Sequence, residues 1–151
     1  SCTEVRELSH SMVPQAFFKS GLTDALKSLV DKIKNKNLHV TLSAEGNLDN
    51  LEQNTELMIY RIIQECVQNV LKHAKAGRLD IALLAEDNEL DITLEDNGTG
   101  FNVASKNNEG FGIKNVRSRI EYLNGTIDII SAPGKGTCIA MHIPVKNKNE
   151  A

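Results

Sequence analysis

The stretch Asp96-Asn97-Gly98-Thr99-Gly100-Phe101 follows residues 89–95, where apolar and polar side chains alternate as in a half-buried β-strand. Asn and Gly tolerate backbone angles that other residues disfavour, so a turn after the strand explains this stretch about as well as a function does. Two further motifs shift that balance, namely Glu65-x-x-x-Asn69 upstream and Gly110-x-Gly112 downstream. An acidic residue, a glycine hinge and a glycine-rich loop in this order predict a nucleotide site.

The upstream motif lies on a long predicted helix, Leu57 to Ala74. At about 100° per residue, its polar side chains fall on one arc: Arg61, Glu65, Gln68, Asn69 and Lys72. Solvent exposure would explain such an arc, but these groups are also the ones needed around a magnesium-bound polyphosphate. Asn69 would give Mg²⁺ a neutral oxygen ligand, Lys72 would offer charge to phosphate, and Glu65 would orient or deprotonate a nucleophile.

The turn and the glycine-rich loop supply the other groups of such a site. The Asp96 carboxylate can accept a hydrogen bond from an amine such as adenine N6, and it would face the carbonyl of guanine acceptor to acceptor. Gly98 and Gly100 let the backbone approach a flat ring. Gly110-x-Gly112 precedes a predicted helix, whose first N–H groups can bind phosphate. The polar tract 102–109 is predicted to be a mobile lid.

Composition limits the class of protein. A chain of 151 residues with 40% hydrophobic and 25% charged residues fits one compact globular domain. The net charge of −3 argues against a nucleic-acid partner. Cys2, Cys66 and Cys138 form no C-x-x-C pair, and the last two lie in apolar patterns, so we expect reduced core thiols. No apolar run reaches the roughly 18 residues of a membrane span, and we expect a soluble, intracellular chain.

The order of predicted elements indicates the fold class. A helical front segment is interrupted at Ser20-Gly21, and Asn124-Gly125 caps the last helix. An Asp87-Asn88 turn predicts a hairpin. Strands are predicted at 38–42, 78–85, 89–95, 126–131 and 137–144, with helices at 57–74 and 112–123. Hairpins with helices between them predict an α/β (α+β) two-layer sandwich, in which helices cover one face of a mixed, mostly antiparallel sheet.

Four segments resemble the N, G1, G2 and final boxes of sensor histidine kinases: IIQECVQNVLKHA (62–74), DNGTGF (96–101), EGFGIKNVRSRIEYLNGTIDIIS (109–131) and GKGTCIAMHIP (134–144). They are most similar to the subfamily whose N box contains Glu and ends in Lys-His-Ala. These kinases belong to the gyrase, heat-shock-chaperone, histidine-kinase and mismatch-repair ATPase superfamily. The resemblance covers roughly residues 37 to 145 and implies the Bergerat-type ATP-binding fold.

The resemblance also implies a division of the chain. The segment VRELSHSMVPQAFFKSGLTDAL (5–26) is similar to the end of a kinase dimerisation domain and its connection to the catalytic domain. We therefore expect the end of the dimerisation helix and a connecting helix over 1–36. A histidine-kinase-like ATP-binding catalytic domain would follow over 37–146, and a polar tail over 147–151.

On the phosphate side, the resemblance implies that Asn69 is the Mg²⁺ ligand. Lys72 and His73 would contact phosphates or ribose. Gly110 and Gly112 would frame the phosphate-binding end of the lid. These roles come from the family pattern and would place the polyphosphate between the long helix and the lid.

On the adenine side, the resemblance implies that Asp96 accepts from adenine N6 and that Gly98 and Gly100 shape the pocket. Thr137 would support a water network between Asp96 and adenine. Glu65 matches the position of a base or orienting group, which makes it the candidate catalytic residue.

The histidines other than His73 are not assigned to chemistry. His10 is followed by Ser11, whereas an acceptor box normally has an acidic residue directly after its histidine, and Pro14 comes soon after. We expect neither His39 nor His142 to have a partner suited to metal binding or acid–base chemistry.

The resemblance implies a protein-histidine kinase that binds ATP and Mg²⁺. It would transfer the γ-phosphoryl group to a histidine of the dimerisation domain, absent from this fragment, and then to a response regulator. The fragment alone would be inactive, and the full-length protein would be a homodimer anchored in the inner membrane, with this domain in the cytoplasm. Two alternatives stay open: an ATP hydrolase in which Glu65 activates water, and a nucleotide-responsive module of the anti-sigma serine-kinase type.

Overall fold

The computed structural model describes residues 15–102 and 113–146. Its helices are α1 (Gln15–Ile33), α2 (Gln53–Asn69) and α3 (Ile113–Tyr122), and a π-helical turn (Val70–Ala74) continues α2. Its strands are β1 (His39–Gly46), β2 (Arg78–Glu86), β3 (Glu89–Asp96), β4 (Thr126–Ser131) and β5 (Thr137–Pro144). His10, Gly110, Gly112 and the predicted tail lie outside the described residues. Within those ranges, no helix is long and apolar enough to cross a membrane.

The five strands form one sheet in the order β1-β2-β3-β5-β4. The β1–β2 pair is parallel and the other three pairs are antiparallel, which confirms the predicted mixed, mostly antiparallel sheet. The parallel pair follows from chain order, because α2 and the π-helical turn lie between β1 and β2 and provide the crossover that parallel strands require.

The core lies between one face of the sheet and the helices. In β3, Leu90, Ile92 and Leu94 are buried while Glu89 and Asp91 are exposed, so alternate residues point to opposite faces. The helices pack on the apolar face, and α2 contributes six buried side chains to the core: Ile59, Tyr60, Ile62, Ile63, Cys66 and Val67. Burying an aliphatic side chain of this size contributes about 1.5–3 kcal/mol. The opposite face of the sheet is mostly polar and exposed, which confirms the two-layer arrangement.

Helix α2 differs from its prediction at both ends. It begins at Gln53, four residues before the predicted start at Leu57. Residues 53–56 are polar and have no apolar periodicity, so the sequence pattern did not indicate that they are helical. Its α-helical geometry ends at Asn69 instead of Ala74, and the next five residues form a π-turn that ends at Lys75 in the left-handed conformation (φ 51°). A single wide turn is too short to leave a signature in hydrophobic periodicity.

The predicted turns are confirmed. Asp87 and Asn88 both have positive φ (51° and 64°), as a two-residue hairpin loop with the twist of its strands requires. Asn124 ends α3 in the left-handed conformation (φ 61°), and the Gly125 N–H donates to the Ile120 carbonyl at 2.9 Å. These local residues set where β3 and β4 begin.

The predicted interruption near Ser20-Gly21 is a break in α1 at Gly21, where φ is 85°. The next N–H, that of Leu22, donates to Glu56 Oε2 at 3.1 Å. Glu56 is only 6% exposed, although it lies in the polar first part of α2. A carboxylate at the start of a helical segment satisfies an otherwise free N–H and interacts favourably with the helix dipole. Glu56 therefore joins the front helix to α2, a contact the sequence did not indicate.

The expectation that His142 has no partner suited to acid–base chemistry is wrong. On the exposed face of the sheet, His142 Nδ1 lies 2.6 Å from Asp91 Oδ1, and Nε2 lies 3.3 Å from Glu89 Oε1. The hydrogen bond to Asp91 is the main cause that raises the pKa of His142. The register that places Asp91 opposite His142 could not be read from the separate strands. The two carboxylates flank opposite ring nitrogens, so they do not converge on one metal position.

We predict that Glu56→Ala lowers the free energy of unfolding by about 1–3 kcal/mol, because the Leu22 N–H would remain buried without its acceptor. Equilibrium unfolding in urea measures this change. Glu52→Ala, an exposed residue on the same approach to α2, is the matched control and should change stability by less than about 0.5 kcal/mol. Equal stabilities of the two variants would contradict an anchoring role for Glu56.

Candidate functional site

A cavity of about 360 Å³ opens where the end of α2, the loop after β3, the start of α3 and the start of β5 meet. Four chain segments that are distant in sequence therefore contribute to it. The residues that line it are Cys66, Asn69, Val70, His73, Ala74, Asp96, Thr99, Gly100, Phe101, Ile113, Thr137 and Ile139. This size is typical of a small-molecule site.

The loop after β3 is bound to the end of the π-helical turn. The Thr99 N–H donates to the Ala74 carbonyl at 2.7 Å, and the Thr99 hydroxyl contacts the His73 carbonyl at 3.4 Å. A Cβ on Gly98 would collide with the Ala74 carbonyl oxygen. Gly98 is therefore required by the approach of two backbone segments, whereas the sequence analysis expected it to allow the approach of a ligand ring.

The same loop is bound on its other side to the β4–β5 connection. The Gly134 N–H donates to the Thr99 carbonyl at 2.6 Å. Gly100 has φ 65°, and a Cβ there would collide with the Ala132 carbonyl oxygen. Hydrogen bonds of the Thr99 N–H and the Thr99 carbonyl thus hold the loop between the helix end and the β4–β5 connection.

Asn97 fixes this loop to the start of β2. Its Oδ1 accepts from the Gly77 and Arg78 N–H groups, both at 2.8 Å. The sequence analysis assigned Asn97 only a tolerance for turn geometry. Its side chain instead connects the loop after β3 to the segment that leads from the π-helical turn into β2.

Asp96 is the buried carboxylate of the site, with 8% of its surface exposed. Its Oδ1 accepts from the Gly98 N–H at 2.8 Å, and the Thr137 backbone N–H also donates to the carboxylate. Burial raises the pKa of Asp96, the two backbone hydrogen bonds act in the opposite direction, and the charge of Glu95 adds to the rise. The backbone hydrogen bonds therefore fix the direction of the carboxylate, but they offset only part of the cost of burying its charge. The group is thus suited to accept a further hydrogen bond from a ligand.

Ser131, at the end of β4, connects two walls of the cavity. Its Oγ accepts from the Phe101 N–H at 2.9 Å, lies 2.8 Å from Thr137 Oγ1 and donates to the Gly136 carbonyl at 3.0 Å. No signal in the sequence alone marks Ser131 as a site residue. The direct pairing of Ser131 with Thr137 in the sheet brings these groups together.

The helical wall contains Asn69 and His73 but not Lys72, which is exposed. A π-helical turn contains more residues than an α-helical turn, so each residue advances by a smaller angle around the helix axis. Lys72, three positions after Asn69, therefore lies further from the side of the helix that carries Asn69. His73, four positions after Asn69, comes onto the same side instead. The 100° projection of the sequence analysis therefore placed Lys72 too close to Asn69.

The deep part of the cavity is apolar. Cys66 is 1% exposed, and burial, followed by the charge of Glu65, raises the pKa of its thiol to about 12. The thiol is therefore neutral, and it adds to the apolar surface of Val70, Ile113 and Ile139. An apolar wall beside a buried carboxylate suits a flat, partly polar ring. Cys66 was predicted as a core thiol and is also part of this wall, whereas Cys138 is only partly buried.

The predicted site residues divide into three groups. Those that line the cavity are Asn69, His73, Asp96, Gly100 and Thr137. Those described but not lining it are Glu65, Lys72 and Gly98. Gly110 and Gly112 lie outside the described residues. Within 15–102 and 113–146, no group of three or more His, Cys, Asp or Glu residues could hold a metal ion.

Comparisons with known proteins agree with this geometry. The family model described as histidine kinase-, DNA gyrase B- and HSP90-like ATPase matches residues 54–147. The signal transduction histidine-protein kinase/phosphatase DegS of Brevibacillus brevis is 28% identical over 146 residues, which cover 96% of this chain and 38% of DegS. The chain thus spans about two fifths of the length of DegS and of the sensor histidine kinase LiaS of Bacillus subtilis.

Two solved structures share the fold. The histidine kinase domain of the Erythrobacter litoralis EL346 blue-light activated histidine kinase aligns with a TM-score of 0.69 and 21% identity, covering 83% of this chain and 60% of that one. Full-length ShkA in complex with AMPPNP aligns with a TM-score of 0.65 and 15% identity, covering 83% and 29%. Together with the family match, these findings confirm the predicted fold and the resemblance to sensor histidine kinases.

We predict that Gly98→Ala lowers the free energy of unfolding by about 1–3 kcal/mol, because the added methyl group would force the loop away from Ala74. Gly77→Ala is the control, since a Cβ there meets its nearest neighbours at 3.9 Å, an ordinary contact. Denaturant titration of both variants measures the difference. A Gly98→Ala protein as stable as Gly77→Ala would show that the close approach of the two segments is not required.

Proposed function

Because the chain belongs to the histidine kinase-, DNA gyrase B- and HSP90-like ATPase family, we propose that its cavity binds ATP together with Mg²⁺. The observation that carries this proposal is the Asp96 carboxylate, which is buried, held by two backbone N–H groups and located at the cavity wall. AMPPNP, the nucleotide named in the ShkA complex, supports the same class of ligand.

Adenine fits the deep part of the cavity. Its ring would lie against the apolar wall formed by Val70, Ile113 and Ile139, and its exocyclic amine would donate to Asp96. A carboxylate offers only acceptors when it is ionised, so the carbonyl of guanine would be repelled at the same position. Thr137 lies beside Asp96 in the sheet register and would take part in this contact directly or through water.

The phosphates would extend toward Asn69 and His73. Asn69 would supply Mg²⁺ with a side-chain oxygen, and His73 would contact a phosphate or the ribose. The exposed Lys72 would add positive charge within reach of its long side chain. Mg²⁺, when bound, would neutralise charge on the phosphate oxygens, while Gly110 and Gly112 would donate backbone N–H groups.

The reaction we propose is transfer of the γ-phosphoryl group to a histidine on the dimerisation domain of the same protein, followed by transfer to a response regulator. The curated relatives that support this proposal include a signal transduction histidine-protein kinase/phosphatase and a sensor histidine kinase. The chain would contribute positioning and charge neutralisation, and Glu65, one helical turn before Asn69, would orient the attacking imidazole. The parent protein would be a homodimer anchored in the inner membrane, with residues 1–36 leading into the catalytic domain 37–146.

We predict that Asp96→Asn weakens ATP binding by about 10–100-fold, because an amide can place a donor opposite the adenine amine. Calorimetric titration with ATP and GTP measures this effect and the change in selectivity. Asp128→Asn removes an equivalent charge from an exposed position of β4 and should leave ATP affinity unchanged. Wild-type ATP affinity in a folded Asp96→Asn protein would contradict the proposed adenine contact.

We predict that Asn69→Ala removes most of the Mg²⁺-dependent part of ATP affinity while the melting temperature of the nucleotide-free protein stays within about 2 °C of wild type. Titrations with ATP in the presence and absence of Mg²⁺ measure the first quantity, and calorimetric melting measures the second. Asn54→Ala, at an exposed position in the first turn of α2, is the control and should retain the Mg²⁺ effect.

In the full-length parent protein, Asn69→Ala should also abolish acid-labile phosphate on the dimerisation domain. A large loss of stability with an intact Mg²⁺ effect would instead identify Asn69 as a structural residue. Sustained phosphate release that depends on Glu65, without phosphohistidine, would favour the ATP hydrolase over the kinase.

A further inference from the structure

We propose that Ser131 is a specificity-determining residue that acts through Thr137: it fixes the direction of the Thr137 hydroxyl so that this wall of the cavity presents only hydrogen-bond acceptors to the base. This inference rests on the proposed function, since it concerns how an adenine nucleotide is distinguished from a 6-oxo purine nucleotide in the same cavity.

The hydrogen-bond inventory of Ser131 sets the direction. A serine hydroxyl has one proton and two lone pairs. The Gly136 carbonyl, 3.0 Å from Ser131 Oγ, can only accept, and the geometry assigns the serine proton to this hydrogen bond. The Phe101 N–H, at 2.9 Å, can only donate, so it occupies one lone pair. The remaining lone pair faces Thr137 Oγ1 at 2.8 Å; once the serine proton is assigned to Gly136, the proton between these two oxygens comes from Thr137.

The consequence appears at the cavity side of Thr137. Because its hydroxyl proton is directed to Ser131, Thr137 Oγ1 has lone pairs but no donor to offer a ligand. Asp96, directly opposite Thr137 in the sheet register, likewise presents carboxylate oxygens. Both residues line the cavity, so the polar part of this wall is a pair of adjacent acceptors.

A pair of acceptors discriminates between purines by one functional group. The 6-amino group of ATP has two protons and can donate toward such a wall, directly or through water. The 6-oxo group of ITP is an acceptor and would face acceptors. Without Ser131, the Thr137 hydroxyl could rotate and donate to the 6-oxo group, so the preference for ATP would decrease while the cavity kept its shape.

The test compares Kd values for ATP and ITP, which differ at position 6 of the base, in the 151-residue chain. Ser131→Ala should lower the preference for ATP over ITP by about 5–10-fold, the equivalent of one hydrogen bond. Ser131→Thr retains a hydroxyl and should keep the wild-type preference. Ser43→Ala, an exposed serine on β1, is the control for serine removal elsewhere in the sheet.

A double-mutant cycle separates specificity from general stability. In a Thr137→Val background, which has no hydroxyl to direct, Ser131→Ala should no longer change the ratio of the two Kd values. A loosened fold would change both affinities together in either background. If Ser131→Ala does not fold, Thr137→Val is measured in its place. Removal of the Thr137 Oγ1 acceptor should lower the preference for ATP over ITP by a similar factor.

The outcomes separate the two proposals. If the wild-type chain binds neither nucleotide, the proposed function is refuted. If it binds ATP and prefers it to ITP, but folded Ser131→Ala or, in its place, Thr137→Val keeps that preference, the role of Ser131 is refuted while ATP binding stands. A lowered preference that persists equally in the Thr137→Val background would also overturn the proposal, since Ser131 would then act by another route.

Discussion

The candidate site depends on the backbone hydrogen bonds of one residue, Thr99. Its N–H is bound to Ala74 and its carbonyl to Gly134, so the end of the long helix, the loop after β3 and the β4–β5 connection form one unit. Glycines at 98 and 100 make this possible, because a side chain at either position would meet a carbonyl oxygen. These main-chain contacts hold the cavity walls together with the side chains of Asn97 and Ser131, and the side chains of Asn69 and Asp96 line the cavity that results.

The same unit provides the backbone hydrogen bonds that allow Asp96 to be buried. A carboxylate with 8% exposure would be costly to desolvate unless hydrogen bonds supported it. Two backbone N–H groups give part of that support, and the remaining acceptor capacity is directed to the cavity. A ligand amine completes the arrangement, so the same burial that raises the pKa of the group also increases the penalty for a ligand without a donor. This is how a single carboxylate can select a base.

Sequence reasoning succeeded where a local signal specified the structure. The strand alternation, the Asp87-Asn88 hairpin and the glycine motifs all depend on residues close in the chain. The family pattern indicated Asn69 and Asp96, which the structure places at one cavity, while their roles stay predictions. Sequence reasoning failed where the deciding contact joined distant residues. The Ser131–Thr137 pairing, the carboxylates beside His142 and the buried Glu56 depend on register or packing between elements. The π-turn after Asn69 was not predicted because one wide turn does not alter hydrophobic periodicity. Of the two residues predicted there, His73 lines the cavity and Lys72 does not.

Helix α2 shows how the fold and the proposed chemistry are linked. At its beginning, Glu56 is tied to the front helix through the Leu22 N–H, and beyond its end, Ala74 is tied to Thr99. Between these two points the helix buries its apolar face against the sheet, so it has little freedom to slide or rotate. Phosphoryl transfer needs groups held to within a fraction of an ångström, because positioning and charge supply most of its rate enhancement. A helix fixed at both ends is suited to carry Asn69, whose proposed metal contact would tolerate little displacement.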